Sequence, residues 1–165
     1  MGRLTVRDIA IIAMLSSLCI VSRNVIPLPN IKPVFSCLVV ISVLRGWRHG
    51  SLFGLVTFIV SSMTLGFGLW VIFQCIASVV VALVTDGLVK VGIPNSVVLV
   101  LMSILSALLF GVVMSLESYF YTGWVGILAY WLNGLLWDYY TVIGNLIFTP
   151  VIYKTMKEGY RDYLR

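Results

Sequence analysis

The sequence predicts an all-α integral membrane protein: six transmembrane helices in a compact bundle, both termini cytoplasmic, with residues 1–165 forming one membrane domain. Three observations predict it. Hydrophobic residues make up 61% of the chain and charged residues 10%, with a mean hydropathy of +1.08. A soluble domain is roughly half apolar and about a quarter charged, so this chain lacks the charge to coat a water-facing surface. The apolar runs do not alternate with polar residues as the strands of an outer-membrane barrel do. A helical crossing takes about 20 residues, so six of them use nearly the whole length and leave little room for a soluble catalytic domain.

The third observation is the placement of charge. Six spans put both ends on one side. If that side is the cytoplasm, it holds Arg3, Arg7, Arg45, Arg48, Lys90, Lys154, Lys157, Arg161 and Arg165, against Arg23 and Lys32 outside. Nine against two is a clear positive-inside bias, and cleaving the first helix or splitting the fifth run would scramble it. The net charge of +5 is then a matter of topology and attraction to the membrane surface, not of nucleic-acid binding.

The first run is Ile9 to Val21. Its start resembles a signal peptide, but Leu18 is too large for a lipoprotein cleavage box before Cys19 and no A-x-A-like site follows, so it reads as a retained helix. Pro27, Pro29 and Asn30 then impose a rigid loop from Arg23 to Lys32. Pro33 to Leu44 is a second run, short for a full span, ended by a basic loop from Arg45 to Gly50 that carries His49. Ser51 to Leu65 is the third run, Gly66-Phe67-Gly68 a tight connection, and Leu69 to Val84 the fourth. Asp86 to Asn95 reads as a loop. Ser96 to Leu116 is the fifth span. Glu117 to Trp137 mixes polar and aromatic residues and is a different kind of segment. The sixth span runs from about Asp138 to Tyr153, before a charged tail from Lys154 to Arg165.

The chemistry-bearing patterns of enzymes are missing. There is no H-E-x-x-H, no Walker A motif and no glycine-rich phosphate loop, and one histidine cannot build a multi-histidine metal site. Cys19, Cys37 and Cys75 have no C-x-x-C spacing and read as small core hydrophobes. Neither metal nor cofactor is expected, and no catalytic role. A binding inventory does stand out at the outward helix ends and loops: Asn30, Trp70, Gln74, Glu117, Tyr121, Trp131, Asn133, Trp137, Asp138 and, within the last helix, Asn145. Flat rings offer stacking surface, and amides and carboxylates offer directed hydrogen bonds. An aromatic belt at headgroup depth is the competing reading, but a belt lines both interfaces, whereas four of the five tryptophans fall outside and only Trp47 inside. Gln74 and Asn145 would be costly facing lipid and belong in the interior, either in a site or in helix–helix hydrogen bonds. On the first helix, Ala10, Ala13 and Ser17 form a small-residue face that lets another helix approach closely, from this chain or from a second protein.

In this order the features resemble the substrate-binding S components of energy-coupling factor (ECF) vitamin transporters over nearly the whole chain. The resemblance rests on Ala13-x-x-x-Ser17, on the loop from Ile26 to Pro33 with its prolines and Asn30, on the stretch from Leu65 to Gln74 with its glycines, Trp70 and Gln74, and on Gly134-Leu135-Leu136-Trp137-Asp138 followed by Gly144-Asn145. Relatives carry a histidine where Thr141 stands. The resemblance implies a six-helix protein of the bacterial cell membrane that captures a water-soluble vitamin or precursor from outside. It implies partners as well: a membrane T component, docked on the small-residue face of the first helix, and two ATP-binding cassette ATPases that alone hydrolyse ATP. Pyridoxine or a hydroxymethylpyrimidine would donate to Asp138 or Glu117. Pantothenate, the next candidate, would place its carboxylate on Arg23 or Lys32. The reading from a different class is a six-helix scaffold protein of the rod-shape-determining type, which leaves the outer polar aromatics unexplained.

Overall fold

The computed structural model describes residues 4–26 and 30–161, with side chains through 159. Pro27 to Pro29 of the first loop, and the terminal cations Arg3 and Arg165, lie outside the described residues. Within them the chain is all-helical: α1 Val6–Val25, α2 Val34–Arg45, α3 Trp47–Leu65, α4 Leu69–Lys90, α5 Asn95–Ser115, a 3-10 turn Leu116–Ser118, and α6 Tyr119–Arg161. Among the described residues, three helical segments are long and apolar enough to cross a membrane: Val6–Val25, Leu69–Lys90 and a stretch within Asn95–Gly159. Large apolar side chains cover much of the exterior, among them Met14, Leu18, Val21, Met63, Phe67 and Ile72, which suits a lipid-facing surface far better than water.

α1 starts with a capping box. The Asp8 amide donates to Thr5 Oγ1 at 3.2 Å, and the Thr5 amide donates to Asp8 Oδ2 at 3.0 Å, which satisfies two of the helix's orphan donors. One stripe of α1 is buried: Asp8, Ile12, Ser16, Cys19 and Ser22. Cys19 meets Cys37 of α2, their sulfurs 3.8 Å apart as free thiols. Ala10, Ala13 and Ser17 lie on the opposite, exposed side, so the small-residue face is not spent on packing within the chain.

α2 is the centre of the bundle. Val34 through Val43 are all buried, as expected of a helix that is apolar all round. At 1.5 Å per residue its twelve residues span roughly 18 Å, and α3, α4, α5 and α6 all pack on it. Two glycines of α3, one turn apart, make close packing possible. A Cβ on Gly50 would collide with Ser42 Oγ of α2 and lie 3.3 Å from Ala82 of α4, and one on Gly54 would lie 2.5 Å from Ser78 Cβ. This small-x-x-x-small pair is not among the features singled out from the sequence.

Several boundaries differ from the sequence reading: α1 is longer at both ends than Ile9 to Val21, and α6 continues past Tyr153. α3 begins at Trp47, not Ser51, because the break is confined to Gly46, whose φ of 87° suits glycine alone. His49 therefore sits in the first turn of α3, buried, with Nε2 3.6 Å from Asp8 Oδ2, and not in an open basic loop. α4 runs through Asp86 to Lys90, where Lys90 Nζ lies 2.5 Å from Asp86 Oδ2 one turn back, and stops at Gly92 (φ 93°) before Pro94. The polar-aromatic segment from Glu117 to Trp137 is helical from Tyr119 onward, interrupted only at Gly123 (φ 67°, ψ −160°). Residues 124–161 then extend roughly 57 Å at 1.5 Å per residue, well beyond a hydrocarbon core of about 30 Å. The sixth helix thus begins some four turns before Asp138.

Polar side chains join the helices inside. Ser36 Oγ of α2 donates to Asn145 Oδ1 at 3.2 Å, and Asn145 Nδ2 donates to the Ser103 carbonyl at 3.0 Å and to Ser106 Oγ at 3.1 Å, both on α5. Phe35, Phe58 and Phe110 pack ring on ring, with centroids 4.8–6.2 Å apart. At one end of the bundle Asp8 accepts from Arg45 Nε at 3.0 Å and faces His49. Cavities of about 390 and 290 Å³ also lie at this end, one between α1 and the last turns of α6 and one beside Arg45 to His49 and Asp86; the polar, ring-lined cavities are at the other end.

Candidate functional site

At the end formed by the C-termini of α1, α3 and α5 and the N-termini of α2 and α4, three cavities adjoin. The first, about 350 Å³, is walled by Gln74 of α4, by Phe110, Gly111 and Met114 of α5, by Asn30 of the loop, and by Tyr130, Trp131, Asn133, Gly134, Trp137 and Asp138 of α6. Helical spacing explains the α6 wall: 130, 134 and 138 fall on one face at i, i+4, i+8, with 131, 133 and 137 flanking it. Gly134 leaves open space where a side chain would stand.

Asp138 is the chemical centre of this cavity. It is 6% exposed, and Oδ2 has no hydrogen-bond partner among the described residues. No ion pair reaches it there either. Gly111 is what lets it fit: a Cβ at that position would overlap the Asp138 carboxyl. The indole N–H of Trp131, in the same wall, is also buried without an acceptor. An unpaired buried polar atom costs roughly 1–3 kcal/mol, more when charged, and such atoms mark places where a missing partner belongs.

The second cavity, about 220 Å³, shares Asn30, Gln74 and Phe110 with the first. Its further walls are Arg23, Lys32, Val34, Phe35, Leu65 and Thr141. The Arg23 guanidinium lies 4.8 Å above the Phe58 ring and reaches Gln74 Oε1 at 3.5 Å, while its Nε has no acceptor. Lys32 Nζ donates to the Arg23 carbonyl at 3.0 Å, closing the end of α1. Burial, and then the neighbouring Arg23 charge, push the Lys32 ammonium below the ordinary lysine value. No carboxylate pairs with either cation among the described residues. The Thr141 hydroxyl is engaged with the Trp137 carbonyl at 3.0 Å.

The loop is pressed onto α6 over this site. Asn30 adopts φ 54°, a left-handed conformation that asparagine tolerates better than most residues, and its side-chain amide donates to the Trp137 carbonyl at 3.4 Å. A Cβ on Gly144 would lie 3.2 Å from Ile31 Cα and 3.3 Å from Lys32 N, so glycine at 144 lets the loop backbone rest against α6.

The third cavity, about 720 Å³, is more open and shares Tyr130 and Asn133 with the first. It collects Trp70, Glu117 and Tyr121, with Tyr121 Oη 3.5 Å from Glu117 Oε1. The expected site residues therefore fall into three groups. Asn30, Gln74, Trp131, Asn133, Trp137 and Asp138 share one cavity. Trp70, Glu117 and Tyr121 line its neighbour. Asn145 lines neither and is a joint between α2, α5 and α6. Phe110, Gly111, Met114 and Tyr130 belong to the first cavity, and no motif marked them in the sequence.

The fold and cavities define an all-helical chain, compatible with a membrane, that holds a polar, ring-lined hollow at one end. Compared with family models, with curated proteins and with solved structures, the chain has no match.

Proposed function

We propose that this chain is the substrate-binding S component of an ECF-type importer in a bacterial cell membrane. Six helices cross or enter the bilayer with both termini in the cytoplasm, and the end with Asp138 and the ring-lined cavities faces outside. There the protein captures a water-soluble vitamin or precursor, with pyridoxine or a hydroxymethylpyrimidine first and pantothenate next. A membrane T component and two ATP-binding cassette ATPases complete the importer and supply ATP hydrolysis.

The observation that carries this reading is Asp138: a buried carboxylate with an unpartnered oxygen, facing a ligand-sized hollow lined by Trp131 and Trp137. The uncovered face of Ala10, Ala13 and Ser17 supports the docking of a partner helix. The cation partition supports the orientation. Asp138 accepts from a donor on the ligand, the tryptophan rings stack on its heterocycle, and the loop from Asn30 to Lys32 covers it. The purified chain, titrated with a panel of vitamins and precursors, should bind one of them at sub-micromolar affinity, and co-expression with a T component and its ATPases should give ATP-dependent uptake. A chain that binds none of the panel and assembles with no ATPase would refute the proposal. Cysteines introduced near residues 48 and 125 should be shielded from and open to an external reagent, respectively; the reverse pattern would sink the topology.

A further inference from the structure

The two cavities that share Asn30, Gln74 and Phe110 have opposite chemistry at their far ends. One end presents the Asp138 carboxylate, nine-tenths buried and unpaired. The other presents Arg23 and Lys32 with no carboxylate to neutralise them among the described residues. Between them lie the Phe110 ring and the Gln74 amide, which already leans toward Arg23. A charge removed from water without a partner is costly, and here both signs are left without an ionic partner among the described residues, in two cavities that share three wall residues. Neither cavity needs to be read as a separate site: the smaller, at about 220 Å³, falls below the usual size of a ligand pocket.

We infer that the adjoining cavities take a single ligand end to end, a small aromatic molecule with a cationic or strongly donating group at one end and an anionic group at the other. The inference rests on reading these cavities as the ligand site and narrows the ligand class within it. The donor end lies against Asp138 and the anionic end between Arg23 and Lys32. The ring lies along Phe110. A ligand with only one of these groups leaves the opposite buried charge unpaired, so it binds more weakly. The charges thereby rank a ligand that bears both groups above a hydroxymethylpyrimidine, which meets only the Asp138 end, and above pantothenate, which meets only the Arg23 and Lys32 end.

Three probes with one ring test this: 4-(aminomethyl)benzoate, which carries both groups, benzylamine, which carries only the cation, and 4-methylbenzoate, which carries only the anion. Each is titrated into the purified full chain, with tryptophan fluorescence and calorimetry as readouts. The two-headed probe should bind about tenfold or more tighter than either single-headed one. Asp138→Asn should reduce its affinity to that of 4-methylbenzoate, and Arg23→Gln with Lys32→Gln should reduce it to that of benzylamine. Size-exclusion profiles in detergent establish that each variant is folded, and Lys32→Gln alone, on the loop, replaces the double variant if that one does not fold. Equal affinity for the three probes, no binding of any, or a preference that survives in the folded variants would overturn the inference. A chain that captures a vitamin while binding the probes alike keeps the transport reading and loses this one. A chain that prefers the two-headed probe but binds no vitamin and assembles with no ATPase does the opposite.

Discussion

Substituting Gly111 by alanine tests the chemistry of the cavity while leaving the Asp138 carboxyl chemically intact. Gly111 lies on α5 directly beneath Asp138, and a methyl group there overlaps the carboxyl. The side chain must rotate away or shift, and the acceptor leaves its place. A hydrogen bond from a charged group is worth roughly 1.5–3 kcal/mol. At about 1.4 kcal/mol per tenfold, affinity for the two-headed probe should fall roughly tenfold to hundredfold. Backbone energetics push the other way, since alanine in a helix interior is favoured over glycine by about 0.5–1 kcal/mol. The apparent Tm of the ligand-free protein in detergent should therefore hold or rise while affinity drops. Calorimetric titration and a thermal melt on the same sample read both quantities. The double variant Gly111→Ala, Asp138→Asn should bind no more weakly than Asp138→Asn alone, because the methyl group acts only through the carboxylate. Unchanged affinity in Gly111→Ala, or full additivity in the double variant, would refute the assignment of Asp138 as the acceptor.

Three further outcomes are expected. Ala13→Trp places a bulky ring on the exposed face of α1 and should abolish complex assembly and uptake while ligand binding by the isolated chain stays nearly intact; the reverse result would make that face internal packing. Asn145→Ala removes the joint between Ser36, Ser103 and Ser106 and should cost about 1–3 kcal/mol of stability, seen as a lower denaturation midpoint with ligand affinity little changed; a selective loss of affinity would return Asn145 to the site. Because burial and Arg23 lower the pKa of Lys32, its charge is lost on raising the pH sooner than an ordinary lysine's. Affinity for 4-methylbenzoate should decline from neutral to alkaline pH in the native chain and less steeply in Lys32→Arg, and identical profiles would remove Lys32 from the anionic end.

The sequence by itself determined that the chain is helical and where α2, α3 and α5 stop. Gly66-Phe67-Gly68 and the α5 span are found within a residue of where hydropathy and glycine placed them. Hydropathy failed where polar and aromatic residues interrupt a run without breaking the helix, as from Glu117 to Trp137, and where a charge is paired locally, as Asp86 is with Lys90. Asn30, Gln74, Trp131, Trp137 and Asp138 were legible as candidates because polar and ring-bearing residues are conspicuous against an apolar background. Only the tertiary structure decided how they are grouped. It set Asn145 into a helix joint and Glu117 into a neighbouring cavity, brought Cys19 against Cys37, and placed Gly111 and Phe110 in the wall. The reason is physical. In a water-soluble helix the apolar stripe tells which side faces inward. In a chain whose surroundings are as apolar as its core, hydrophobicity no longer distinguishes inside from outside. The direction of each side chain around its helix is then set by close packing and interhelical hydrogen bonds, and those exist only once the helices have met.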